Sequence, residues 1–139
     1  MTGMPLAATF AVVLSLGSNG DDTGHSLQAE RGEALYQQLC TSCHSPDRNR
    51  YGPLHRGVVG RSAGTVPDYN YSEALASAAM IWNAETLNAW LADPATLVPG
   101  TRMRFRVPDN SDRADIIAYL ATLTAPPASE ARPRNDGDQ

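Results

Sequence analysis

Lysine is absent from this chain of 139 residues: all 11 basic residues are arginines, set against 15 acidic ones for a net charge of −4. Without a basic excess the chain is a poor partner for nucleic acid, and the lack of lysine removes Schiff-base and other lysine-centred covalent catalysis. Cysteine is scarce too. There are two, both in one short motif, so no disulfide framework is implied and a four-cysteine iron–sulfur cluster is excluded. There is no internal repeat, and the one strongly apolar run, residues 5–16, is too short to span a bilayer as a helix. The length fits one domain with appendages, and a hydrophobic fraction of 42% suffices for a modest core.

What is present is organised around Cys40-Thr41-Ser42-Cys43-His44. C-x-x-C-H is the attachment signature of a c-type haem. Two thiols three positions apart near a helical turn can each bond a vinyl group along one porphyrin edge, and the next residue places an imidazole on the iron. His44 is then the proximal ligand through Nε2, with Nδ1–H left for a nearby acceptor. Two other readings of the pair compete. A Cys-x-x-Cys redox site usually accompanies a βαβ pattern, and none is seen. A zinc site needs a further ligand from His25, His55 or a carboxylate, and no knuckle spacing supplies it. If both cysteines are thioethers the protein is thiol-free, and an oxidising compartment does it no harm.

Residues 1–20 read as a secretory signal or N-terminal apolar leader, with Gly17, Ser18 and Gly20 as the small-residue exit. No Lys or Arg precedes the apolar run, and a packing or membrane-interface segment is the competing reading. Residues 21–25 form a polar spacer before a domain spanning 26–125. Within it, Leu27, Leu35-Tyr36 and Leu39 recur at helical spacing and lead into the cysteine pair. Gly32 costs such a helix about 1 kcal/mol against Ala, which predicts close contact with another helix. Residues 45–64 are loop, rich in Gly, Pro and Arg, and a short helix is expected over 72–79. Asn83 predicts the N-cap of a helix over 84–92, stopped by Pro94, and an irregular stretch over 95–107 follows. The last helix has capping candidates in Asp109 to Ser111 and an apolar stripe of Ile116, Tyr119-Leu120 and Leu123. Residues 126–139 are polar and proline-rich and read as a disordered tail. The pattern is all-α, with loops too long for a small chain unless they wrap a large apolar cofactor.

Six stretches keep a consistent order: RGEALYQQLCTSCH, GPLHRGVVGR, YNYSEAL, Trp82, WLADPATLVPGTRMRF and DRADIIAYLATL. Together they resemble the class I c-type cytochromes, close to mitochondrial and soluble bacterial cytochromes c, over roughly two-thirds of the chain. The resemblance implies a small all-α fold around one haem c, covalently held by Cys40 and Cys43, with His44 and Met103 on the iron. A thioether is a soft neutral donor that favours ferrous iron. Met80 fits core filling instead. The family pattern further implies that the Pro53 carbonyl accepts the His44 Nδ1–H, and that Arg61, Tyr71 and Trp82 hydrogen-bond the inner propionate. Thr101 corresponds to the hydroxyl toward the outer propionate, and Phe105 to the aromatic covering the haem on the Met side. Gly32, Tyr36 and Tyr119-Leu120 match a crossing of the first and last helices.

Three departures from the pattern stand out. Trp90 occupies the position of a Tyr that hydrogen-bonds the Met sulfur in mitochondrial relatives, and an indole N–H is a donor only. Val107 stands where relatives often have Gly, and would be strained if the site needs a positive φ. The docking lysines are missing, and Arg48, Arg50, Arg56, Arg102, Arg104 and Arg106 are candidates for a substitute patch. His55 falls in the proximal loop near Pro53 and is not expected to ligate iron; His25 is expected in solvent.

The implied function is a monohaem electron carrier of the periplasm, or the electron-transfer subunit of a redox enzyme. With both axial positions filled it catalyses nothing itself. Its partners are redox proteins met at the exposed haem edge, through Arg102, Arg104 and Arg106, by small charge-steered contacts. A monomer is expected, with no transmembrane span and no nucleic acid. The alternative is a five-coordinate haem sensor or weak peroxidase, which requires that Met103 leave the iron; the distal His–Arg pair of a dedicated peroxidase is not provided.

Overall fold

Helices near the two ends of the described chain, residues 20–125 of a computed structural model, cross at a glycine and hold the fold together. They are α1 (Gly20–Leu39) and α5 (Asn110–Thr122); between them lie α2 (Glu73–Ala76), α3 (Ala84–Ala92) and α4 (Pro94–Leu97). The only β pairing among the described residues is an isolated antiparallel bridge between Ser62 and Ile81. The expected tail at 126–139, and the leader apart from Gly20, lie outside the described residues.

A Cβ on Gly32 would stand 1.8 Å from the Asp115 carbonyl oxygen and 3.0 Å from Tyr119 Cβ. Only a residue without a side chain lets α1 come this near α5. One turn on, Tyr36 is fully buried and packs its ring on Tyr119 at 5.1 Å. Ile116 and Leu120 complete the buried face of α5. At the edge of the crossing Arg31 Nε donates to Asp115 Oδ2 at 2.9 Å and Nη2 to Oδ1 at 3.2 Å, a two-point clamp between the helices. α1 also continues through the polar stretch 21–25 read as a spacer; the residues from Asp22 to Leu27 are exposed, so this part of the helix contributes little core.

Asn83 caps α3 reciprocally: its side chain accepts from the Thr86 N–H and its own N–H donates to Thr86 Oγ1, both at 2.9 Å. α3 ends at Ala92, but Pro94 does not open an irregular segment. Asp93 caps a further helical turn, α4, with Pro94 as its first residue, where a missing N–H costs nothing. α2 is one turn, shorter than the expected 72–79, with Ser72 accepting from Leu75 N at 3.2 Å. Val107 is buried with an ordinary negative φ, since Asp68 alone among the described non-glycine residues has a positive one. Its N–H donates to the Leu91 carbonyl at 2.8 Å, tying the segment before α5 to α3 without the strain a left-handed residue would carry.

Candidate cofactor site

Directly after α1 the chain turns on itself. Cys43 N and His44 N both donate to the Cys40 carbonyl, at 3.1 and 2.8 Å, so the two thiols and the imidazole are held on one tight turn. All three line an apolar cavity of about 780 Å³, within the roughly 300–1,000 Å³ usual for cofactor sites. Burial, and secondarily Cys43, pushes the Cys40 thiol up to about 11. That is opposite to the depressed thiol of a dithiol redox site. Among the described residues no three His, Cys, Asp or Glu side chains converge as a metal-binding group.

His44 is oriented from two sides. Its Nδ1 lies 2.8 Å from the Pro53 carbonyl; a carbonyl only accepts, so Nδ1 carries the proton and Nε2 the lone pair. Burial lowers the His44 pKa, with the Pro53 bond opposing, which favours the neutral, ligand-competent ring. Gly52, whose N–H donates to Cys43 O at 2.8 Å, packs so closely that a Cβ would sit 2.3 Å from His44 Cε1. A larger residue there would push the imidazole out of place.

The other cofactor-binding and iron-ligand candidates named from the sequence also line this cavity: Pro53, Arg61, Tyr71, Trp82, Trp90, Thr101, Met103 and Phe105. Arg61 donates to the carbonyls of Arg56 and Leu54, each at 3.0 Å, and burial lowers its pKa. Among the described residues no carboxylate pairs with it. Tyr71 Oη accepts from Val66 N at 3.3 Å, and Trp82 meets Trp90 edge-on at 5.2 Å. Met103 follows the turn at Gly100, whose φ of 94° suits glycine, and is partly buried against the core.

A family model described as Cytochrome c matches residues 29–124. The chain belongs to the cytochrome c family. Cytochrome c of Euglena viridis is 47% identical over 98 residues, covering 68% of this chain and 96% of that protein. Cytochrome c2 of Rhodopila globiformis is 44% identical over 95 residues, 66% of this chain and 90% of that one. Among solved structures, cytochrome cH from Methylobacterium extorquens is similar with a TM-score of 0.65 and 41% identity, covering 68% of this chain and 97% of the other. This cytochrome c is therefore an all-α, monohaem electron-transfer protein. Family membership implies a covalent haem c, and the cavity fits one. It offers two neighbouring thiols, a neutral imidazole with its lone pair on Nε2, apolar walls, and in Arg61 a half-buried cation with no carboxylate partner among the described residues.

The arginines are less uniform than their sequence positions suggest. In this cytochrome c, Arg102 donates to the Asn70 and Tyr71 carbonyls at 2.7 and 3.1 Å, bracing the cavity wall. Arg106 pairs with Asp93 at 2.9 Å, Arg56 pairs with Asp47, and Arg50 donates to Thr41 O at 2.7 Å. Arg48 and Arg104 are exposed, and no hydrogen bond or ion pair holds either among the described residues. His55 holds the surprise. Its ring stacks on His44 and its Nδ1 lies 2.9 Å from Tyr36 Oη. Sequence position put His55 near Pro53, but no spacing rule foretells the contact with a tyrosine 19 residues earlier.

Proposed function

We propose that this cytochrome c is a monomeric, non-enzymatic electron carrier exported to the periplasm by its leader at residues 1–20, with Cys40 and Cys43 as the thioether donors and His44 and Met103 as the iron ligands. One observation carries the reading. The C-x-x-C-H turn and Met103 open onto the same cavity, with Pro53 turning His44 so that its Nε2 keeps the lone pair. When bound, haem c supplies one-electron exchange between Fe(III) and Fe(II). The chain's own residues do the rest. His44 and Met103 would hold the iron between them, which would leave no place for a small substrate. Arg61, Tyr71 and Trp82 would hold the inner propionate, and the Thr101 hydroxyl would serve the outer one. Phe105 covers the Met side, and Trp90 takes the place of the tyrosine of mitochondrial relatives. No helix among the described residues is long and apolar enough to cross a membrane. Docking to an acidic redox protein falls first to Arg104, with Arg102 and Arg106 beside it already engaged in internal contacts.

Met103→Ala is the test. In the oxidised wild type at neutral pH a weak sulfur-to-iron band is expected in the near infrared. It should vanish in the variant, with a fall in potential, ready carbon monoxide binding and some peroxidase activity. A wild type that lacks the band and binds carbon monoxide as fast as the variant would remove Met103 from the iron and favour the five-coordinate sensor.

A further inference from the structure

We propose that His55 is a positioning residue for the iron's proximal ligand: its imidazole, tethered by Tyr36, stacks on His44 and sets both the ring's direction and its electron-donating strength. The inference rests on the reading of His44 as the proximal ligand. The two rings are nearly parallel, 20° apart, with centroids at 4.1 Å. That is closer than the roughly 4.5–7 Å usual for aromatic pairs. The Pro53 bond holds one atom of His44 and still permits a swing about it. With His55 packed on the ring and Gly52 against its Cε1, that swing is closed off. His55 is fixed in its turn by Tyr36 Oη, on a side chain wholly buried at the α1–α5 crossing. The main helix crossing is thereby linked to the proximal ligand through Tyr36 and His55.

The electronic consequence has a definite sign. When the iron is oxidised, its proximal imidazole becomes more cationic. A neutral polar ring stacked on it stabilises that state better than an aliphatic side chain, which lowers the local polarity and favours the reduced state. Replacing His55 by an apolar residue therefore raises the potential.

Three variants of the haem-loaded protein test this, read by midpoint potential and by the haem-methyl NMR shifts of the oxidised form. The spread of those shifts follows the direction of the proximal imidazole plane. His55→Leu should raise the potential and change the spread. His55→Phe, which keeps a flat ring, should return the spread toward wild type while the potential stays raised. Tyr36→Phe removes only the tethering hydroxyl and should move both readouts part-way, which keeps the test usable if His55→Leu fails to fold. Wild-type potential and methyl spread in folded His55→Leu, or in Tyr36→Phe where the leucine variant does not fold, would overturn the proposal and leave His55 as filler. Failure of the His44 assignment would appear separately, as a wild type lacking the low-spin signature of a histidine-ligated iron.

Discussion

Gly32→Ala and Gly24→Ala place the same methyl group on the same helix with opposite expected outcomes. In a helix interior, alanine is favoured over glycine by about 1 kcal/mol. At Gly24 a Cβ meets nothing within 4 Å, so this propensity acts alone and the variant should melt a few degrees higher. At Gly32 the Cβ would lie 1.8 Å from the Asp115 carbonyl oxygen, against 3.4 Å for ordinary contact. The helices must therefore separate locally by about 1.6 Å, the difference between the two. The obstacle is helix backbone, which cannot rotate aside as a side chain can, so the cost falls near the top of the roughly 1–3 kcal/mol range for overpacking. Subtracting the propensity gain leaves a loss of about 2 kcal/mol, and at about 4–8 °C per kcal/mol for a domain of this size Tm should fall by about 8–16 °C. Far-UV circular dichroism melts of the two haem-loaded variants decide the matter. A Gly32→Ala protein as stable as wild type, or more so, would refute the argument from close approach.

Other outcomes follow from the capping and charge arrangement. Asp109 is held below the usual carboxylate range, first by the Ser111 hydroxyl and then by the Asp112 and Ser111 N–H groups. Its contribution is therefore complete above the unfolded value of about 3.9 and is lost as pH falls through the lower folded value. Asp109→Asn, which keeps a capping oxygen without the charge, should be less stable than wild type at neutral pH, with the difference in Tm closing as pH falls below the unfolded carboxylate value of about 3.9; a constant difference across pH would contradict this. Arg104→Glu should slow association with an acidic partner at low salt, with the effect fading as salt rises, because exposed charges are screened over about 8 Å at physiological ionic strength. Arg102→Ala should instead lower Tm, since it removes two hydrogen bonds to the 70–71 backbone; stopped-flow and melting curves that show the two variants behaving alike would refute this division of roles.

Features set by local chemistry were legible in the sequence. The glycine in an otherwise regular helix announced the crossing, Asn83 ahead of the 84–92 run placed the cap of α3, and the C-x-x-C-H motif marked three residues of the cavity wall. Where the reading fell short, a longer-range or more permissive effect decided. The 21–25 stretch is helical although it is polar and built of weak helix formers, since it extends a helix already nucleated by the packed part of α1. Pro94 stops one helix and begins another, because a proline is equally suited to both and only Asp93 as a cap distinguishes them. The strain anticipated at Val107 depended on a backbone angle that no side chain reveals, and the angle is ordinary. The His55–His44 stack joins residues whose meeting depends on how the 45–57 loop folds back on itself, through His55 N to Ser45 O at 3.1 Å and Arg56 N to Pro46 O at 2.8 Å.

Covalent attachment is the claim on which the rest depends, and intact mass spectrometry addresses it directly. Protein matured with a haem-attachment system should exceed its polypeptide mass by one haem and keep its colour through acid-acetone extraction, while the double variant Cys40→Ala, Cys43→Ala should lose it. A wild-type protein at bare polypeptide mass, or one whose pigment passes into the acetone, would contradict the account.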